Sequence, residues 1–182
     1  MFKKIDRSLV NLPMIQRIIG WLLCIEAAFL LFPMAACLIY HETDWQAFAI
    51  TSGVTLLAGL LATNTSRPKH THMGKRDGYL LTASVWIVLS LFGLLPFMLC
   101  SRPIGISDAF FEAVSGFTTT GASVLDSLVG VPKSVLFWRC VIQWIGGLGI
   151  ILFTLAVVPM LNYQGGMQLF NAEVTGITHD KL

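Results

Sequence analysis

A short polar run, Gly116-Phe117-Thr118-Thr119-Thr120-Gly121-Ala122-Ser123, lies between two long apolar segments. Its residue types suit one kind of chemistry. Backbone carbonyls and threonine hydroxyls stacked along a strand can replace the hydration shell of a dehydrated monovalent cation. Gly116 and Gly121 permit backbone angles that other residues avoid, so that successive carbonyls turn to one side. Thr119, Thr120 and Gly121 would then present a column of oxygens, with Asp108, Glu112 and Asp126 adding negative charge around its mouth. A Ser/Thr-rich connector that only packs uses the same residue types, and the residues by themselves leave both readings open.

Other candidate groups point nowhere as specific. Asp108, Glu112, His41 and Asp126 have no nucleophile–base spacing, so no catalytic residue and no enzymatic activity is expected. His70-x-His72 has only Asp77 nearby as a further ligand and reads as part of a solvated loop. Cys24, Cys37 and Cys140 fall within apolar stretches and Cys100 at the end of one, without C-x-x-C spacing. They read as small hydrophobes, not as a disulfide framework or metal site.

The elements that must position the polar run are membrane helices. The 182 residues are 55% hydrophobic and only 12% charged, where a soluble domain carries about 25% charged residues. Several runs exceed the roughly 20 apolar residues that cross a bilayer core. Ile15 to Tyr40 reads as one span bent at Pro33, because proline removes a helical hydrogen bond and clashes with the preceding turn. Its length argues against a cleaved leader. Glu26 lies within it, a costly placement for an acid, and reads as a structural group that reaches an interface or meets a neighbour's donor. Phe48 to Ala62 reads as a second span, rich in small residues that favour close helix packing. Between the two lies the short acidic turn His41-Glu42-Thr43-Asp44.

The domain reading is a helix pair over 1–66, a basic loop over 67–78, a pore-like repeat over 79–161 and a tail over 162–182. Within the repeat, 79–100 reads as a span and 107–117 as a helix too short to cross. Ser107 is its expected N-cap, with Asp108 in the first turn. A short apolar helix followed by polar irregular backbone is the pattern of a re-entrant segment, tolerated at membrane depth only when buried in protein or lining a water-filled path. The run 118–123 follows, then a last span over 134–161. Its Arg139 is expected to pair with Glu112 or Asp126 and brace the re-entrant helix. Gly146, Gly147 and Gly149 read as a packing patch, with a flexible point as the sharper alternative. Lys3, Lys4, Arg7 and Arg17, with Arg67, Lys69, Lys75 and Arg76, place the N-terminus, basic loop and tail on the cytoplasmic side. The fold class is an all-α integral membrane protein of the cytoplasmic membrane.

The strings FFEAVSGFTTTGAS and FWRCVIQWIGGLGIILF together resemble the first pore repeat of the TrkH subunit of the Trk/Ktr/HKT potassium transporter superfamily. The two preceding spans resemble that family's extra N-terminal helix pair. The resemblance implies that Thr119, Thr120, Gly121, Ala122 and Ser123 form a filter strand for potassium, with Thr118, Asp108, Glu112 and Arg139 in support. Ala122-Ser123 stand where four-fold channels usually have an aromatic residue and a second glycine, which goes with a simpler filter. The family carries four such repeats in one chain; this sequence holds one. A truncated subunit is therefore expected in preference to a homo-oligomer that assembles four copies, with a non-conducting membrane scaffold or transporter remnant as the alternative. The implied partners are the lipid bilayer, the remaining pore repeats and a cytoplasmic nucleotide-binding regulatory subunit. The transported ligand is potassium; no covalent cofactor and no nucleic acid are implied.

Overall fold

The computed structural model describes residues 10–66, 75–125 and 127–151. Residues 1–147 form one compact unit, and residues 148–182 a second, of which only 148–151 are described. The described residues are helical apart from short connections: α1 Leu12–Phe29, α2 Leu31–Tyr40, α3 Trp45–Thr65, α4 Lys75–Gly93, α5 Leu95–Leu99, α6 Ile106–Phe117 and α7 Lys133–Ile151. Among the described residues, four helical stretches are long and apolar enough to cross a membrane: Leu12–Tyr40, Trp45–Thr65, Arg76–Leu99 and Lys133–Ile151.

Several boundaries differ from the sequence reading, each for a local reason. The first span breaks at Leu30 instead of bending at Pro33. Proline has no N–H to reach four residues back, so the disruption falls in the turn before it. Pro96 acts alike, ending α4 at Gly93. The second span is longer than 48–62 at both ends. Lys75–Gly78 belong to α4 and not to the basic loop, whose residues 67–74 lie outside the described residues, as do Asp126, the rest of the last span and the 162–182 tail.

α1 and α3 pack most intimately because glycines face each other: a Cβ on Gly20 or on Gly59 would come 2.8 Å from the other's carbonyl oxygen. Ser52 Oγ donates to the Ala27 carbonyl across the same contact at 2.9 Å. This helix pair is tied to the rest of the unit at both ends. At one end the Asn11 amide donates to Asp77 Oδ1 of α4 at 2.9 Å. At the other, the acidic turn holds the ends of two later helices. Asp44 accepts from the amide and hydroxyl of Ser101, just beyond α5. Glu42 accepts from the Lys133 amide at 2.7 Å and from the Ser134 amide and hydroxyl at 3.1 and 2.6 Å. Those amides are the unpaired donors that open α7, and a carboxylate there also favours the helix dipole. Burial would push the Glu42 carboxyl up, but the Ser134 and Lys133 hydrogen bonds and the Lys133 charge outweigh it and hold the group below its ordinary value.

The core gathers Leu30, Phe48, Phe97, Phe117, Trp138 and Ile142, all essentially inaccessible. The α4–α5 break frees the Gly93 carbonyl, since Phe97 N–H bonds to Leu94 instead. Trp138 Nε1 donates to that carbonyl at 2.9 Å, joining α7 to α4.

A re-entrant hairpin and its clamp

α6 starts at the same end of the bundle as the acidic turn and runs inward. Its N-cap is Gly105, with no side-chain cap, and not Ser107, which lies inside the helix. Asp108 occupies the first turn, where a negative charge suits the N-terminal dipole. One face of α6, carrying Ala109, Glu112, Ala113, Ser115 and Phe117, is buried.

The polar run grows from the way α6 ends. Thr119 N–H donates to the Gly116 carbonyl at 2.9 Å and Thr120 N–H to the Ser115 carbonyl at 3.0 Å. This paired pattern is the Schellman helix ending, which requires a left-handed residue just past the cap. Thr119 fills that place with φ of 59°. Glycine is the usual occupant; for a β-branched residue this φ is a genuine outlier. Gly116, by contrast, is helical, and its lack of a side chain serves packing: a Cβ there would come 2.3 Å from Ile142 Cδ1.

The amides of Thr118, Thr119, Thr120 and Gly121 all turn back onto carbonyls of residues 114–116. Their own carbonyls are left over: among the described residues, no hydrogen bond ends on the carbonyls of Thr118 to Gly121. Gly121 repeats the left-handed conformation at φ of 74°. Carbonyls of an extended strand alternate between two sides. Left-handed φ at every second residue, 119 and 121, reverses alternate peptide planes and brings successive carbonyls toward one side. The Thr118 hydroxyl donates to the Val114 carbonyl at 2.8 Å, so at its 2.9 Å contact with Thr120 the latter's hydroxyl is the donor. Thr118, Thr120, Gly121, Ala122 and Ser123 are exposed and Thr119 half-buried, so the run lies at the surface of the unit.

Beyond Gly121 the backbone is gripped differently. Ser115 Oγ donates to the Ala122 carbonyl at 2.6 Å. Glu112, 1% exposed, accepts on Oε1 from the Ser123 hydroxyl at 2.6 Å and the Val124 amide at 2.8 Å. Its Oε2 lies 2.7 Å from Arg139 Nε of α7. One carboxylate thus ties the helix, the end of the polar run and the last span together. Sequence reasoning brought Glu112 and Arg139 into view, but not Ser115 or Val124, whose roles lie in a backbone fold-back that no residue pattern announces.

α7 packs against the hairpin through Gly146, where a Cβ would come 2.0 Å from the Phe117 carbonyl oxygen. That glycine is a packing position. Gln143 stands beside the polar run, its Nε2 3.5 Å from where a Cβ on Gly121 would be. Glu26 is also buried, 2% exposed, but among the described residues neither of its oxygens has a hydrogen-bond partner. Among the described residues it meets no neighbour's donor, and it lies beside Gly93 and the Phe117 ring.

In chemical terms the hairpin offers uncharged oxygens in a row, an adjacent acid clamp and no metal-binding cluster of His, Cys, Asp or Glu among the described residues. Such a row suits a weakly hydrated monovalent cation.

Comparison with known proteins gives a consistent picture. The TrkH family, described as cation transport protein, matches residues 44–181. The Trk system potassium uptake protein TrkH of Halomonas elongata is 38% identical over 172 residues, covering 94% of this chain and 36% of the relative. TrkH of Vibrio parahaemolyticus is 40% identical over 167 residues, covering 91% and 34%. The crystal structure of the potassium transporter TrkH from Vibrio parahaemolyticus superposes with a TM-score of 0.78 at 37% identity, covering 82% of this chain and 32% of that one. The chain spans about a third of the length of the curated relatives it matches.

Proposed function

The chain belongs to the TrkH family of cation transport proteins, and from that premise we propose that its re-entrant hairpin supplies one of four strands of a potassium filter. The observation that carries this reading is that the carbonyls of Thr118 to Gly121 accept no hydrogen bond among the described residues, with left-handed φ at 119 and 121. Thr119, Thr120 and Gly121 are the ion-facing residues, with Ala122 and Ser123 completing the strand. Thr118, Asp108, Glu112 and Arg139 support it. Transport involves passage along oxygens and no covalent chemistry.

One strand surrounds a quarter of an ion. The other strands come from further pore repeats, either in a longer chain of the relatives' length or in additional copies of this one. The excess of Lys and Arg on one side supports a cytoplasmic N-terminus and a 41–44 turn outside an inner membrane. A cytoplasmic nucleotide-binding subunit is the expected regulatory partner, as the family resemblance implies.

Expression of the full-length protein should restore growth of a potassium-uptake-deficient bacterium at low external potassium. Gly121→Val, which places a β-branched residue at positive φ, should abolish that rescue while membrane insertion persists. Undiminished rescue by an inserted Gly121→Val protein would sink the filter reading in favour of a non-conducting scaffold.

A further inference from the structure

The unpaired carbonyl row is interrupted at Ala122, and two side chains hold the backbone there. Ser115 Oγ engages the Ala122 carbonyl at 2.6 Å, and Glu112 Oε1 engages the Ser123 hydroxyl and Val124 amide at 2.6 and 2.8 Å. Both side chains rise from one buried face of α6, a turn apart. We propose that Ser115 and Glu112 form a clamp that fixes the length and width of this filter strand and so sets its discrimination between potassium and the smaller sodium ion. The inference rests on the filter reading above.

Two observations make this more than a brace. The clamp acts next to the ion-facing row: Ser115 takes the Ala122 carbonyl out of it, and Glu112 fixes where the following backbone stands through the Ser123 hydroxyl and Val124 amide. A filter selects through the number of its oxygens and their spacing, and both depend here on the hydroxyl of Ser115 and the carboxylate of Glu112. Glu112 is also held from behind. Arg139 Nε lies 2.7 Å from Oε2, with the arginine side chain 23% and the glutamate 0% exposed. An ion pair whose carboxylate is shut away from water is screened little, so it holds its partner firmly. Arg139 is therefore a positioning residue acting through Glu112, and a displacement of α7 at this level reaches the strand directly.

The test uses the full-length protein in potassium-uptake-deficient cells, reading potassium and sodium uptake per inserted molecule for Ser115→Ala, Glu112→Gln and Ser123→Ala. Ser115→Ala returns the Ala122 carbonyl to the free row. Glu112→Gln keeps an acceptor but removes the charge. In both, the sodium-to-potassium uptake ratio should rise about tenfold, the size expected when one buried hydrogen bond is lost or weakened. Ser123→Ala, at an exposed position, should raise the ratio by a smaller factor. Combined with Glu112→Gln it should add less than its separate effect, because the two act through one bond. A clamp that only stabilises the fold would lower the inserted amount and leave the ratio unchanged in every variant; that result overturns the proposal. If Glu112→Gln fails to insert, Ser115→Ala and Ser123→Ala decide. Loss of transport in Gly121→Val with an unchanged ratio in the clamp variants refutes the clamp alone, whereas normal transport by Gly121→Val refutes the filter reading.

Discussion

Glu112 and Glu26 are both acids shut away from solvent, 1% and 2% exposed, yet their surroundings are opposite. Glu112 collects a hydroxyl, a backbone amide and a guanidinium. Glu26, beside Gly93 and the Phe117 ring, has no hydrogen-bond partner on either oxygen among the described residues. Burying an acid is expensive unless other groups satisfy it. The hairpin meets that expense by making the acid a structural hub. The contact between the helix pair and the pore repeat does not meet it. The same residue type therefore organises one region and burdens the other, and only the partners tell them apart.

The largest effect should follow from removing the hub. Glu112→Leu leaves Arg139 without its partner and the Val124 amide without an acceptor. Breaking a buried pair in this way costs about 3–5 kcal/mol, and thermal unfolding of the purified protein should show a large drop. A variant as stable as the parent would mean that the clamp contributes little.

Glu26→Leu should shift stability the other way, because an apolar side chain of similar volume fills the site without stranding polar atoms. The gain should be about 1–3 kcal/mol, with transport retained. A stable Glu26→Leu protein that no longer transports would break the comparison and make Glu26 a functional acid.

Glu42 stands between the two cases, partly exposed and fully employed at the start of α7. Its carboxyl lies below the ordinary value in the folded protein. The stability it contributes is thus complete above the unfolded value near pH 4.3 and is lost as pH falls through the lower folded value. Glu42→Gln should weaken the protein by about 1 kcal/mol at neutral pH and flatten that acid-limb dependence. An unchanged acid limb in the variant would assign the dependence to other carboxyls.

The smallest effect concerns the strand itself. Thr119→Gly removes a β-branched residue from φ of 59° and should raise stability by about 1 kcal/mol, read as a higher unfolding temperature. A decrease would mean that the threonine's contacts outweigh its backbone conformation.

How much of this was legible in the sequence follows the range of the interactions. Apolar run lengths reveal the spans, and a short amphipathic segment before a polar run reveals the re-entrant helix, because both depend on neighbours in the chain. The bonds of Glu42 to Ser134 and of Asp44 to Ser101 join residues far apart in sequence, and an acidic turn looks alike with or without them. Gly116, with Gly121, reads in the sequence as a position for backbone angles that other residues avoid. The left-handed turn falls at Thr119 instead, because the Schellman ending places it a fixed distance past the helix, whichever residue is there. Gly146 could be read as hinge or packing, and the nearby Phe117 carbonyl decides for packing.

The central claim is that this hairpin lines an ion path with backbone carbonyls, and Gly121→Ala tests it most directly. A methyl group there meets nothing closer than Gln143 Nε2 at 3.5 Å, so the substitution adds bulk at no one's expense and opposes only the φ of 74°. Potassium uptake into cells at low external potassium, per inserted molecule, should fall to near background as the strand's peptide planes rotate. Uptake equal to that of the parent protein would contradict the account.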